Sequence, residues 1–169
     1  MRHQDLSLRR GLRLLLVALL VVAAGPVLGA EWGHYENARF GYGIDVPPGF
    51  MGRGEAENGD GEVFATPVAT LTVFGGNIMA ADFEAEVRQR QTWAAADGWA
   101  LTYQMTTPTK ASFSGKHGAR ILYARMIALC GGTQFGMFEL EYSVADIKAF
   151  DAVVGRLVQS LKATGGGCR

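Results

Sequence analysis

Basic clusters, cysteines and histidines are all scarce in this 169-residue sequence. Only 19% of the residues are charged, as 16 basic and 16 acidic side chains, while 49% are hydrophobic. This balance is typical of a folded protein and excludes a disordered one. The first thirty residues hold four of the basic and one of the acidic side chains, so residues 31–169 hold 12 and 15, a net charge of −3. Without concentrated Lys and Arg, nucleic acid and anionic lipid are excluded as main partners.

Metal-binding spacings are also missing. The two cysteines and three histidines form no Cys-x-x-Cys or His-x-x-x-His pattern, so no zinc site is expected. One glycine-rich segment carries four carboxylates of the kind calcium prefers, namely Glu55, Glu57, Asp60 and Glu62. Their order does not match an EF-hand, and a solvated loop is the simpler interpretation. We expect no metal and no cofactor.

The first thirty residues have the layout of a secretory signal peptide. Arginines precede an apolar segment at 14–24, and a Gly-Pro break and small residues follow it. The segment is about half of the roughly 20 apolar residues needed to span a bilayer, which favours cleavage over retention as an anchor. We therefore expect a signal peptide at 1–30 and a single domain at 31–169 in a bacterial periplasmic or secreted protein. A retained anchor is the alternative, and it would be the chain's only contact with a membrane.

Two neighbouring strand patterns give the clearest indication of the fold. Residues 118–130 are rich in Ile, Leu, Tyr and Met, and residues 134–142 alternate between apolar side chains on one face and Glu139 and Glu141 on the other. A short glycine-rich break joins them, which predicts a β-hairpin with one buried face. Apolar residues then recur at spacings of three and four over 144–162, which predicts an amphipathic helix.

These lengths also place the two cysteines. A helix over 144–162 would be about 28 Å long at about 1.5 Å per residue, and the hairpin arms would span roughly 30 Å. A helix that packs back along the hairpin therefore ends near the hairpin tip, where Cys130 lies, and Cys168 follows a few residues later. We predict a Cys130–Cys168 disulfide, as expected in an oxidising compartment.

The rest of the chain adds further strands and a second helix. Asp82 is a suitable N-cap for that helix, in which Glu86 and Arg90 form a favourable i,i+4 pair. The sequence indicates a lead-in turn or short helix, a polar loop and a loose tail at 31–37, 50–61 and 165–167, respectively. Strand patterns joined by short turns favour antiparallel pairing. We predict an α+β fold with a mainly antiparallel sheet of about six strands and two packed helices.

The sequence gives little support for any catalytic group. Ser112, Ser114 and His117 are close in sequence, but no Gly-x-Ser-x-Gly elbow is present. Glu139 and Glu141 share one strand face, which more often indicates a wet sheet surface than an acid/base pair. We expect no catalytic residue.

A binding surface is the more plausible functional feature. The aromatic and apolar residues that flank the polar loop form a candidate binding rim of Trp32, Tyr35, Phe50 and Met51. The alternative is that these side chains pack the ends of the sheet.

Two stretches of the sequence resemble known families. The run Tyr-Glu-Asn-Ala-Arg-Phe-Gly-Tyr-Gly-Ile-Asp-Val-Pro-Pro-Gly-Phe at 35–50, followed by Glu-Asn-Gly-Asp-Gly at 57–61, resembles a family of uncharacterised exported proteins from proteobacteria. That resemblance extends to the final helix and implies no particular activity. The Arg-Phe-Gly-Tyr and Pro-Pro-Gly-Phe motifs within it are also similar to the start of PsbP-like domains. This second resemblance implies an α+β fold that serves mostly in accessory or binding proteins.

The sequence thus favours an exported, non-catalytic binding or accessory domain, whose partner is a protein or a small molecule. Two alternatives stay open. One is a small hydrolase whose polar residues meet only in the fold, for which a pocket containing His34 or His117 beside a carboxylate would be the sign. The other is an envelope-anchored structural factor with its N-terminal segment retained.

Overall fold

Ten strands, two helices and two short 3-10 turns form within residues 31–168, the part of the chain that the structure, a computed structural model, describes. The expected signal peptide at 1–30 lies outside these residues. The elements in chain order are β1 (Gly33–Asn37), β2 (Tyr42–Val46), β3 (Met51–Glu55), β4 (Gly61–Ala65), β5 (Ala69–Asn77), α1 (Phe83–Ala96), β6 (Ala100–Thr106), β7 (Lys110–His117), β8 (Arg120–Leu129), β9 (Gln134–Ser143), α2 (Ile147–Ser160) and β10 (Lys162–Ala163). Neither helix is long and apolar enough to cross a membrane.

The strands form one large and one small antiparallel sheet. The large sheet has the order β3-β4-β5-β9-β8-β7-β6, and the small one has the order β1-β2-β10. The predicted α+β class is confirmed. The strand count exceeds the expected six because residues 31–37 and 50–61, predicted as a turn and a loop, contain β1 and the β3–β4 hairpin.

The predicted central hairpin is β8 and β9, which pair from Arg120 opposite Ser143 to Leu129 opposite Gln134. One face of β9 packs against α2 and the small sheet through its buried apolar residues, Phe138, Leu140 and Tyr142. The other face was expected to be wet, but Phe135 and Met137 on it are buried beneath α1. Only the Glu139 and Glu141 half of that face keeps access to solvent.

Helix α1 begins as predicted. The Asp82 side chain accepts a hydrogen bond from the Ala85 N–H at 2.7 Å. The predicted Glu86–Arg90 pair is also present, at 3.0 Å, but Glu86 is only 1% exposed. The second carboxylate oxygen of Glu86 accepts hydrogen bonds from the backbone N–H groups of Met79 and Ala80 at 3.2 and 3.3 Å. Glu86 thereby fixes the segment that leads into α1, which is a stronger role than that of a surface ion pair.

The expected loose tail is instead held in place along most of its length. β10 pairs with β2, and the Thr164 N–H donates to the Gly41 carbonyl at 2.9 Å. A Cβ at Gly41 would collide with the Gly166 backbone, so the tail crosses Gly41 at a distance that only glycine allows. The predicted disulfide then joins Cys168 to Cys130, whose Cα atoms are 5.3 Å apart.

Candidate functional site

A groove of about 440 Å³ lies between the outer face of the small sheet and the end of α2. Side chains alternate across β1, so His34 faces this groove while Tyr35 and Asn37 face the protein interior. His34 lies directly opposite Asp45 of β2, which faces the groove as well. The pairing of β1 with β2 therefore places a histidine and a carboxylate side by side.

Asp45 is shared between two partners. His34 Nδ1 lies 3.2 Å from Asp45 Oδ1, and Arg156 Nε of α2 donates to Asp45 Oδ2 at 2.8 Å. Burial alone would raise the pKa of Asp45, but the hydrogen bonds and charges of Arg156 and His34 outweigh it and hold that pKa below its ordinary value. Asp45 therefore stays ionised and orients both neighbours.

Arg156 connects this ionic group to the predicted rim. Its guanidinium carbon lies 4.2 Å from the centroid of the Trp32 ring, a cation–π distance. Lys162 of β10 lines the same groove and carries a further positive charge. Because Arg156 offsets the charge of Asp45, Lys162 leaves the groove with a net positive charge.

Gly43 lines the groove but is buried beneath neighbouring side chains. A Cβ on Gly43 would come within 3.1 Å of His34 Nε2 and 3.2 Å of Thr164 Cγ2. Gly43 has no positive φ, so its conformation is open to any residue and only the space is reserved. His34 and Thr164 therefore pack closely over Gly43, and a side chain at this position would have to displace them.

The groove also contains a hydroxyl, but this group is already engaged. Ser160 Oγ accepts a hydrogen bond from the Asp45 N–H at 3.1 Å and lies 3.3 Å from the Leu157 carbonyl. Its contacts serve to fix the end of α2 against β2. The groove is thus equipped to bind polar or anionic groups rather than to supply a serine nucleophile.

The four predicted rim residues are distributed over different environments. Trp32 contacts Arg156 of the groove, and both Trp32 and Phe50 pack partly buried against the core. Met51 is 76% exposed at the edge strand β3. Tyr35 packs edge-on against the Phe64 ring at 5.6 Å, with its hydroxyl 3.3 Å from Glu55 Oε1.

Tyr35 belongs to a polar network centred on the fully buried Asn37. Asn37 Nδ2 lies 3.1 Å from the Tyr35 hydroxyl, 3.1 Å from Glu55 Oε1 and 3.0 Å from the Gly59 carbonyl. Its Oδ1 accepts from the Phe40 N–H at 2.9 Å. Burial raises the pKa of Tyr35, against the lowering effect of the Asn37 hydrogen bond. This network ties the β3–β4 hairpin to the small sheet.

The other sequence candidates do not assemble into sites. Ser112 and Ser114 project from one face of β7, while His117 projects from the opposite face, with its ring 5.7 Å from that of Trp99. Ser112 instead accepts a hydrogen bond from the buried Arg125 at 3.0 Å. Within residues 31–168, no group of three or more His, Cys, Asp or Glu side chains is placed to hold a metal ion.

The sequence analysis did not predict this groove. Residues 31–37 place Trp32, His34 and Glu36 on one side and Tyr35 and Asn37 on the other, so both sides mix aromatic and polar residues and no apolar alternation marks the strand. Had this segment been paired with 42–46, it would have predicted the contact between His34 and Asp45. Arg156 and Lys162 gave no comparable indication, because Arg156 meets β2 only through the packing of α2 and Lys162 only through the chain reversal after α2.

Comparison with solved structures identifies the fold. The solution structure of cyanobacterial PsbP (CyanoP) from Synechocystis is similar with a TM-score of 0.59 at 16% sequence identity, over 85% of this chain and 98% of that one. The crystal structure of the Saccharomyces cerevisiae Ran-binding protein Mog1p gives a TM-score of 0.58 at 11% identity, over 80% and 96% of the two chains. No protein-family model matches the sequence, and no curated protein matches it significantly. At these identities the similarity is one of fold, and the chain has the PsbP-like fold that its opening motifs implied.

Proposed function

We propose that this protein is an exported, non-catalytic binding domain and that the groove between the small sheet and α2 is where it binds. The observation that carries the proposal is the convergence of His34, Arg156 and Lys162 on one open groove. Polar groups converging on an open concave surface are typical of ligand sites. Trp32 adds an aromatic edge of the kind enriched in binding surfaces.

Export is supported by the disulfide, because such bonds persist in oxidising compartments and are rare in the bacterial cytosol. A binding role is also compatible with the fold, since one structural neighbour is a Ran-binding protein. The N-terminal residue of protein purified from the native host would test export. Mass spectrometry is expected to find a chain that starts near Glu31, whereas an intact N-terminus would support an anchored structural factor instead.

The binding site can be tested directly by comparing ligand capture by the wild type with capture by a variant that carries an extra methyl group in the groove. Gly43→Ala adds a methyl group that displaces His34 and Thr164 in the groove without backbone strain, and Gly155→Ala on the exposed side of α2, with open space around it, is the matched control. Wild-type and variant proteins would be incubated with envelope extract, and their retained proteins and small molecules compared by mass spectrometry. We expect a species retained by the wild type and the control but lost with Gly43→Ala. Equal retention by all three would contradict this site.

One observation favours hydrolysis as a second candidate function. With His34 Nδ1 held by an ionised Asp45, the other ring nitrogen faces the groove and can accept a proton from a water molecule. Hydrolysis of nitrophenyl acetate and nitrophenyl phosphate by the wild type and by His34→Ala would test it. Turnover that disappears with His34→Ala would establish hydrolase activity, whereas equal background rates for the two proteins would rule it out.

A further inference from the structure

A second cavity, of about 260 Å³, lies on the face of the large sheet that α1 covers, opposite the face that α2 covers. It is formed where the last turns of α1 meet β9. Trp93 and Trp99 form parts of its wall, and Asp97, Glu139 and Glu141 bring three carboxylates to it. This cavity is separate from the groove, since α1 and α2 cover different faces of the sheet.

The charges in this cavity do not balance. Arg90 pairs with Glu86 at 3.0 Å, and Arg120 pairs with Glu141 at 3.2 Å. None of the four ion pairs formed within residues 31–168 includes Asp97 or Glu139. After the two pairs are set aside, the carboxyl groups of Asp97 and Glu139 have no ion-pair partner among residues 31–168 and lie next to aromatic walls.

The aromatic walls already contact one cation of the protein itself. The guanidinium carbon of Arg90 lies 4.9 Å from the Trp93 ring centroid and 5.6 Å from that of Phe74. Trp93 is still 47% exposed, so much of its indole surface is available to a further group. Indole surface favours organic cations, which exchange water for ring contact more easily than a strongly hydrated metal ion does.

We propose that this cavity binds an alkylammonium group, held by the carboxylates of Glu139 and Asp97 and by contact with the Trp93 and Trp99 rings. The group would belong to a free alkylamine or to a lysine side chain of a partner protein. An ammonium head on an apolar stem matches both halves of the cavity, because the charge faces the carboxylates and the methylenes face the indoles. A sugar could also stack on the indole rings, but it would leave the carboxyl groups of Glu139 and Asp97 without a positive partner.

The electrostatics of Glu139 agree with this assignment. Burial raises the pKa of Glu139, Arg90 lowers it, and the negative charges of Glu141 and Asp97 raise it further. Its cross-strand neighbours, Thr72 and Ala124, carry no charge. A carboxylate that is costly to ionise in the free protein gains when a cation binds beside it.

Tryptophan fluorescence offers the readout, since two indoles line the cavity. The wild type would be titrated with putrescine, with a blocked peptide containing one lysine, and with the same peptide carrying norleucine, which is neutral. Glu139→Gln and Asp97→Asn would be compared with Asp151→Asn, a change of the same charge on α2 at the opposite face of the sheet. We expect about tenfold weaker binding for each cavity variant and unchanged binding for the control.

The outcomes separate the two sources of the ammonium group. Binding of putrescine identifies a free amine, and binding of the lysine peptide alone identifies a partner protein. Equal binding of the norleucine peptide, or unchanged binding by both cavity variants, would overturn the proposal. So would a calcium or magnesium ion that binds at this cavity more tightly than the amines do. Circular dichroism of each variant would confirm that a lost signal reflects lost binding rather than unfolding.

Discussion

Removal of the Cys130–Cys168 disulfide gives the largest stability change that can be worked out from this structure. The bond joins residues 38 positions apart. In the chain-entropy model a loop of that size restricts the unfolded chain by about 4 kcal/mol. At an unfolding entropy of about 2.1 cal/mol/K per residue over residues 31–168, this corresponds to a Tm lower by roughly 14 °C.

The pattern among variants is as informative as the size of the effect. Cys130→Ser, Cys168→Ser and the double variant each lack the same cross-link, so all three should lose about 4 kcal/mol. Urea unfolding with and without dithiothreitol provides the assay. Because Cys168 is exposed, the reductant should bring the wild type to the level of the double variant. The double variant itself should not respond.

Two results would refute this reasoning. If the losses of the single variants added up to about 8 kcal/mol in the double variant, the two cysteines would act independently. If the wild type kept its stability after complete reduction, the cross-link would not restrict the unfolded chain as the model assumes.

Further predictions concern charge, close packing and a buried amide. Glu139→Gln should raise the free energy of unfolding at pH 7, because the folded-state pKa lies above the unfolded one and stability is lost as pH rises through that window. Asp45→Asn should lower it at pH 7 and have no effect once the pH falls below the depressed folded-state pKa, since the stabilisation by Asp45 is complete above about 3.8 and is lost as the pH falls from there through the folded-state pKa. Urea unfolding at several pH values checks both signs. Gly41→Ala should destabilise by at least about 2 kcal/mol more than Gly118→Ala, because both positions have positive φ, 65° and 58°, but only Gly41 meets the tail. Equal losses in thermal unfolding would contradict the close contact. Asn37→Ala should cost about 2–4 kcal/mol, because it removes the acceptor of the buried Phe40 N–H and the donor to the Gly59 carbonyl, whereas the exposed Asn58→Ala should cost less than about 1 kcal/mol in the same urea assay.

The sequence predicted the elements whose patterns are local. The alternation in β9, the N-cap at Asp82 and the spacing of α2 each depend on neighbouring residues, so α+β class, hairpin and helices followed directly. The disulfide followed as well, because helix and hairpin lengths bring Cys130 and Cys168 to one end.

Contacts between distant segments were not predictable in the same way. β1 was missed because its five residues include a glycine and an asparagine and carry no continuous apolar pattern. Glycine is typical of flexible linkers, so the sequence indicates a loose tail at 165–167, whereas in the fold glycine permits close contact with Gly41. The groove was missed for a related reason, since it needs β1, β2 and β10 side by side.

Arg90 shows how burial changes the meaning of a correct prediction. The i,i+4 pair with Glu86 was predicted as a feature of a helix surface. In the fold, Glu86 is buried and Arg90 lies over the rings of Phe74, Trp93 and Phe135. Whether a helical pair lies in water or beneath a sheet depends on packing, which spacing alone does not encode.

The place of β2 in the small sheet has a kinetic consequence. β2 pairs on one side with β1, its neighbour in the chain, but on the other side with β10, where Gly43 lies opposite Lys162. The chain between Gly43 and Lys162 forms a long loop that closes slowly. The three-stranded sheet should therefore be the last part of the molecule to reach its native pairing. A refolding chain should therefore pass through a stage in which the large sheet is protected from hydrogen exchange while β2 still exchanges freely along its β10 edge.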